Sequence, residues 1–227
     1  MPPIYSWQLL RAGRLRLDGG SMFGVVPKPM WAKLAPPDEQ NRIGLQTNCL
    51  LLEGSGNRGQ RSEVKGQKSA YETTSSELST QNPELILIET GFGDKWSDKE
   101  RGFYDLEHRT VVDALREVGV EPAQIAHVIV THLHFDHAAG LTRIDEKGRI
   151  VPTFPNAEVI VQKEEWIDAL ENKSTMNRTY LRTHLDPIKD RVRLTEGDRE
   201  VLPGITVWPM VGHTWGMQAV RFEDRVG

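Results

Sequence analysis

The chain has 227 residues, 38% hydrophobic and 26% charged, with 20 glycines and a formal net charge of −4. That suits one globular domain with a real core, and it offers no basic footprint for nucleic acid or for an anionic membrane surface. A single cysteine, Cys49, excludes an internal disulfide and a multi-cysteine metal site, and it fits a reducing compartment.

The N-terminus, MPPIYSWQLLRAGRLRL, lacks the apolar core of a signal peptide, and no stretch has the length of a membrane span. The expected location is therefore the cytoplasm, where the sequons at Asn172 and Asn177 are chance occurrences. Residues 4–17 read as a strand that runs into a turn at Asp18-Gly19-Gly20. The following stretch, SMFGVVPKPMWAKLAPPDEQ, reads as an irregular, proline-broken loop. Its Met22, Phe23 and Trp31 pack either as a lid on the core or as the wall of a pocket.

Two apolar strands follow, QTNCLLLE (46–53) and ELILIETG (84–91). Residues 54–83 between them contain few apolar side chains, too few to offset the entropy of ordering. They read as a flexible insertion in a hairpin, which loop-closure entropy tolerates because its cost grows only logarithmically with length. LEHRTVVDALREV (106–118) has helical periodicity with Gly119 as a stop. AHVIVTH (126–132) is a β-branched run of the kind buried on both faces of a sheet. NAEVIVQ (156–162) is a further strand, KEEWIDALEN and MNRTYLRTHLDPIKD are helical pieces, and GITVWPMVG (204–212) and GMQAVRFED (216–224) are closing strands. Strands in an early and a late group with helices between them suggest layers of sheet and helix in an α/β (α+β) domain.

The chemistry begins where the buried strand ends, at His132-Leu133-His134-Phe135-Asp136-His137. Three of the chain's seven histidines and one aspartate fall within six residues, and imidazole with carboxylate is a zinc-type donor set. Period-2 geometry points His132 and His134 to one side, and Asp136 and His137 approach from another direction. The carboxyl end of a buried strand is also where open sheets hold their sites.

The HLHFDH run resembles the H-x-H-x-D-H signature of the metallo-β-lactamase fold superfamily. With DGGSMFGVVPKPMW, ETGFGD, FPNAEVIV and VGHT in the same order, the chain resembles the branch of N-acyl-homoserine lactonase-like, quorum-quenching hydrolases. The resemblance implies a four-layer αββα sandwich whose site holds two zinc ions. It implies that His132, His134 and His213 bind the first metal and that Asp136 and His137 begin the second. Zinc-activated water would then attack a lactone or ester carbonyl, with Asp136 as the proton carrier. Met22, Phe23 and Trp31 would line a trough for an acyl chain. His134, where iron-binding relatives carry Glu, favours zinc and hydrolysis.

Several features depart from the pattern. Glu89 stands where the family has Asp, and Met217 where many members have a second histidine; both are expected only to tune the site. The family's later bridging aspartate and final histidine have no counterpart before Gly227, and Glu223 and Asp224 read as a turn. The expectation is a sandwich short of its C-terminal strands and helix. One zinc would be held, because two divalent cations side by side repel strongly without their bridging anions. An unpaired sheet edge would be covered by a dimer mate or another chain. The alternative reading is a truncated, catalytically impaired metal-binding fragment. A nuclease of the same fold lacks the basic surface it would need. Of the other histidines, His108 and His184 are expected at the surface, and His127 in the core or behind the site.

Overall fold

The computed structural model describes residues 4–54, 84–173 and 179–224. The expected insertion, apart from Gly54, lies outside the described residues. A long strand β1 (Tyr5–Asp18) leads into two short helices, α1 (Gly19–Phe23) and α2 (Lys28–Trp31), and then into β2 (Arg42–Gly54). The proline-broken stretch is thus partly helical rather than irregular. Asp18 explains the first turn, since its carboxylate accepts from the Ser21 N–H at 2.8 Å and caps α1. Trp31 is buried and stacks on Phe23 at 4.9 Å, whereas Met22 remains exposed.

β3 (Leu85–Ile88) is followed by α3 (Asp98–Tyr104), which the sequence reading missed although Ser97 and Glu100 form a capping box. Next come α4 (Val111–Glu117), β4 (Ile125–Ile129), α5 (Phe135–Ala138), β5 (Thr142–Ile144), β6 (Ile150–Pro152) and β7 (Glu158–Gln162). The described chain continues through α6 (Lys163–Glu171), α7 (Arg182–Leu185), β8 (Val192–Thr195), β9 (Arg199–Leu202), β10 (Ile205–Pro209) and β11 (Gln218–Phe222). β5, β6, β8 and β9 are too short to have left a clear period in the sequence.

Strands β1-β2-β3-β4-β7-β8 form one sheet, antiparallel at the β1 end and parallel from β3 to β8, and β11-β10-β9 form a second. The large sheet alternates its burial. Leu87, Val128, Val159 and Val161 face a cluster with Val111, Ala114 and Leu115 of α4, Trp166 and Ala169 of α6, and Leu185 of α7. Ile86, Ile88, Ile129 and Ile160 face Val201, Leu202, Ile205 and Val207 of the second sheet. Burial on both faces explains why the central strands read as unbroken apolar runs. Helix, sheet and sheet are three of the four layers that the resemblance implies. Among the described residues no helix is long and apolar enough to cross a membrane.

Glu223 and Asp224 do more than turn the chain. The Tyr5 N–H donates to the Glu223 carbonyl (3.0 Å) and the Trp7 indole to Asp224 Oδ2 (3.1 Å), so the chain after β11 is clipped to β1.

Candidate metal centre

β4 ends at Ile129, three residues earlier than the apolar run suggested, so His132 and His134 do not sit on a strand. Both lie in the loop that leaves it, and their convergence does not come from strand period. His134 is the N-cap of α5, and its carbonyl accepts from the His137 and Ala138 N–H groups at 3.0 and 2.9 Å. That single helical turn projects Asp136 and His137 beside the loop.

His213 arrives from the second sheet, in the segment between β10 and β11. Met210 N–H donates to the Met217 carbonyl (2.7 Å) and closes this segment at its base. Gln218, fully buried, then joins the two sheets: its N–H donates to the Thr131 carbonyl (2.9 Å) and its side-chain amide to the Val130 carbonyl (2.8 Å). The His213 segment is thereby stitched to the exit of β4.

The result is a cluster in which His132, His134 and His213 each offer a ring nitrogen, all within 4.8 Å of one another. His134 Nδ1 and His213 Nε2 are 3.0 Å apart. Two nitrogens on one tetrahedral zinc at about 2.0–2.1 Å would stand about 3.3 Å apart, so the pair has nearly ligand spacing. His132 Nδ1 is in hydrogen-bond reach of Thr131 Oγ1 (3.1 Å), and His132 Nε2 is buried without a partner. Such an orphaned nitrogen among other imidazoles is what a cation would satisfy. Burial, reinforced by the neighbouring histidines, depresses the pKa of His132 to about 2 and of His134 to about 4. Both are therefore neutral, the form that coordinates metal.

His137 lies against the triad, its ring 4.1 Å from that of His132, and its Nε2 is 3.5 Å from Asp136 Oδ2. Of the five predicted ligands, His132, His134 and His213 converge directly, His137 packs on His132, and Asp136 is reached through His137. Burial alone would depress His137, but the hydrogen bond and charge of Glu89, with Asp136 behind them, hold its pKa at about 9. Glu89 Oε2 is 2.9 Å from His137 Nδ1, and Glu89 Oε1 accepts from the Thr131 N–H at 2.7 Å. A carboxylate on one imidazole nitrogen with the other left for metal is the usual support of a histidine ligand. Glu89 does this from a left-handed backbone, φ 68°, a conformation that persists when the surroundings over-determine it.

Glu165 was not singled out in the sequence. It opens α6, where an acidic residue reads simply as favourable to the helix dipole, yet it is fully buried. Its Oε1 accepts from the Leu133 N–H (2.8 Å) and the Tyr180 hydroxyl (3.0 Å), and its Oε2 from the Thr214 hydroxyl (2.6 Å). Burial raises its pKa while these three bonds oppose the rise. His184 corrects another expectation. It is 2% exposed rather than at the surface, and burial beside Lys95 lowers its pKa to about 3. His127 lies between Glu84 (2.9 Å) and Glu158 (3.6 Å), away from the triad on β4.

A profile of the metallo-beta-lactamase superfamily matches residues 81–227. The chain belongs to that superfamily. Among curated superfamily relatives, an N-acyl homoserine lactonase of Bacillus thuringiensis is 35% identical over 117 residues, 52% of this chain and 40% of that protein. The N-acyl homoserine lactonase AttM of Rhizobium johnstonii is 30% identical over 89 residues, 39% of this chain and 27% of that protein. The matches thus span less than half the length of these relatives. A probable metal-dependent hydrolase from Staphylococcus aureus superposes with a TM-score of 0.77 at 28% identity, over 99% of this chain and 71% of that one. AidC, a dizinc quorum-quenching lactonase, shares the superfamily fold at 17% identity and TM-score 0.63, over 99% of this chain and 69% of its own.

Proposed function

We propose that this chain is a zinc-dependent hydrolase of lactone or ester substrates, with N-acyl-homoserine lactones as the first class to test. One observation carries the reading: three imidazoles offer ring nitrogens within 4.8 Å of one another, and His132 Nε2 and His134 Nε2 are buried without a partner. The relatives' names supply the substrate class. His132, His134 and His213 would hold one zinc, with water completing the set of a catalytic site. Asp136 and His137 are the nearest further donors, and two ligands make the weaker second position. Bound zinc lowers the pKa of water to about 7 and polarises a carbonyl oxygen.

The chain's own groups do the rest. Glu89 holds the His137 ring by Nδ1 and so leaves Nε2 facing Asp136. Asp136 is half-buried, open enough to take a proton from attacking water and deliver it to the leaving alkoxide. Phe23 stacked on Trp31, with exposed Met22 beside them in sequence, would form the apolar wall that receives an acyl chain.

The test is turnover of N-hexanoyl homoserine lactone by zinc-loaded protein beside His132→Ala and Asp136→Asn variants. The expected result is lactone opening that His132→Ala abolishes and Asp136→Asn slows by about 10²–10⁴-fold. Zinc binding without turnover above the His132→Ala control, on this lactone and on simple esters, would overturn the hydrolase reading and leave a metal-binding protein.

A further inference from the structure

The three histidines come from two pieces of chain that share no strand, and a metal site requires both to be held in fixed relative position. His132 and His134 flank Leu133 in the loop after β4, and His213 precedes Thr214 between β10 and β11. The Glu165 carboxylate touches both pieces. Its Oε1 accepts from the Leu133 N–H, the peptide between the two early histidines, at 2.8 Å. Its Oε2 accepts from the hydroxyl of Thr214, next to the late histidine, at 2.6 Å. The Tyr180 hydroxyl adds a third donor at 3.0 Å, and the Tyr180 ring lies 5.0 Å from that of His134.

Among the described residues the carboxylate takes its hydrogen bonds from these three donors, and Glu165 is 0% exposed to solvent. The Glu165 backbone is equally committed. Gly216, three residues past His213, packs so closely on it that an added Cβ would collide with the Glu165 amide nitrogen. A buried carboxylate with three donors is costly to desolvate unless all its bonds are made. Its full set of partners exists only when the two histidine segments are in register.

We propose that Glu165 is a positioning residue that registers the His213 segment to the His132–His134 loop and so assembles the three-imidazole site before metal arrives. Neither Glu165 nor Thr214 offers an atom to the metal; they act through the histidines beside them. The inference builds on the metal-site reading of the preceding subsection, but the register it describes belongs to the metal-free protein and can be measured there.

The experiment uses the full chain with Thr214→Val, Glu165→Ala and Glu165→Gln. Thr214→Val removes one hydroxyl at nearly constant volume and keeps the test open if Glu165→Ala does not fold. Amide hydrogen exchange of the metal-free protein is read over 210–216, and zinc affinity is read by chelator competition, with the cobalt absorption spectrum as a check on ligand geometry. Thr214→Val and Glu165→Ala are expected to speed exchange in 210–216 and to weaken zinc by about 10–100-fold, the usual effect of losing a group that orients a ligand. Glu165→Gln should recover most of both, because its oxygen can still accept from Leu133 and Tyr180 while its amide donates to the Thr214 hydroxyl. Unchanged exchange over 210–216 in folded Thr214→Val would overturn the proposal, as would a lower melting temperature with undiminished zinc affinity. Faster exchange in a chain whose parent binds no zinc would uphold the register and remove the metal reading instead.

Discussion

Each histidine of the cluster has a distinct support, and the supports predict different losses. On the proposed zinc site, replacing His213 by Ala takes away one of three proposed ligands, so elemental analysis should fall from about one zinc per chain to near none while the protein stays folded. Glu89 presents the opposite case. Its carboxylate serves both the Thr131 N–H and His137 Nδ1. Glu89→Ala leaves the Thr131 N–H without its acceptor, at about 1–3 kcal/mol for a buried group, and frees the His137 ring. The expected outcome is a lower denaturant midpoint together with weaker zinc binding. A midpoint equal to the parent's would show that the carboxylate is dispensable. The ligand types were readable from the sequence because three histidines and an aspartate in six residues carry their chemistry with them. Glu165 was not, because its importance lies in what it touches 32 and 49 residues away.

Among the elements, α5 and the turn after it show how closely the backbone must pass behind the site. Thr90 donates to the His137 carbonyl through both its N–H (2.9 Å) and its hydroxyl (2.8 Å), which holds the end of the ligand turn. Gly140 follows, and a Cβ there would drive into the Thr90 carbonyl. Gly140→Ala should cost several kcal/mol, at or beyond the ~1–3 kcal/mol of ordinary overpacking. It should weaken zinc binding as well, since the collision displaces the His137 turn; equal thermal stability of parent and variant would contradict this. Lys95 ties the same turn from the other side, donating to the Ala139 carbonyl at 2.6 Å and the Thr142 carbonyl at 2.5 Å. The expected central strands and the helix over 163–172 are present, whereas the helix expected over 106–118 forms only over Val111–Glu117. The strand expected over 126–132 stops at Ile129, although the Val130 N–H still donates to the Ile160 carbonyl of β7 at 3.3 Å. Leu115 on α4 is fully buried, and Leu115→Ala should cost about 2–5 kcal/mol in denaturant melts.

At the scale of the molecule, the buried histidine away from the site gives the fold a defined acid sensitivity. His184 titrates at about 3 in the folded chain against 6.5 when exposed. Below pH 6.5 the unfolded state binds the extra proton and the folded state does not, so stability falls as pH drops and levels off below about pH 3. At about 1.4 kcal/mol per unit, the loss between pH 6.5 and 5 is about 2 kcal/mol. His184→Leu removes that slope, and because His184 Nδ1 is buried without a partner the change loses no hydrogen bond at that atom. The variant should match the parent near pH 7 and exceed it at pH 5 in thermal melts. Parallel pH profiles for the two proteins would refute this. Composition had suggested a surface position, since two histidines in polar helical text look alike; only packing against Trp96 (ring centroids 6.2 Å) distinguishes this one.

What the amino-acid order determined alone was local: apolar runs for strands buried on both faces, a donor set for a metal, and a loop that places it at a strand's exit. Each of these follows from residues close in the chain, where periodicity and side-chain chemistry are visible. The tertiary structure decided which distant groups meet. It brought His213 to 3.0 Å from His134, closed Glu165 over two segments, and buried His184. The first two contacts rest on the stacking of one sheet on another, whereas His184 is buried on α7, on the helix side of the large sheet. That stacking is driven by apolar area, which has no direction of its own, and the paired polar atoms then select a single register.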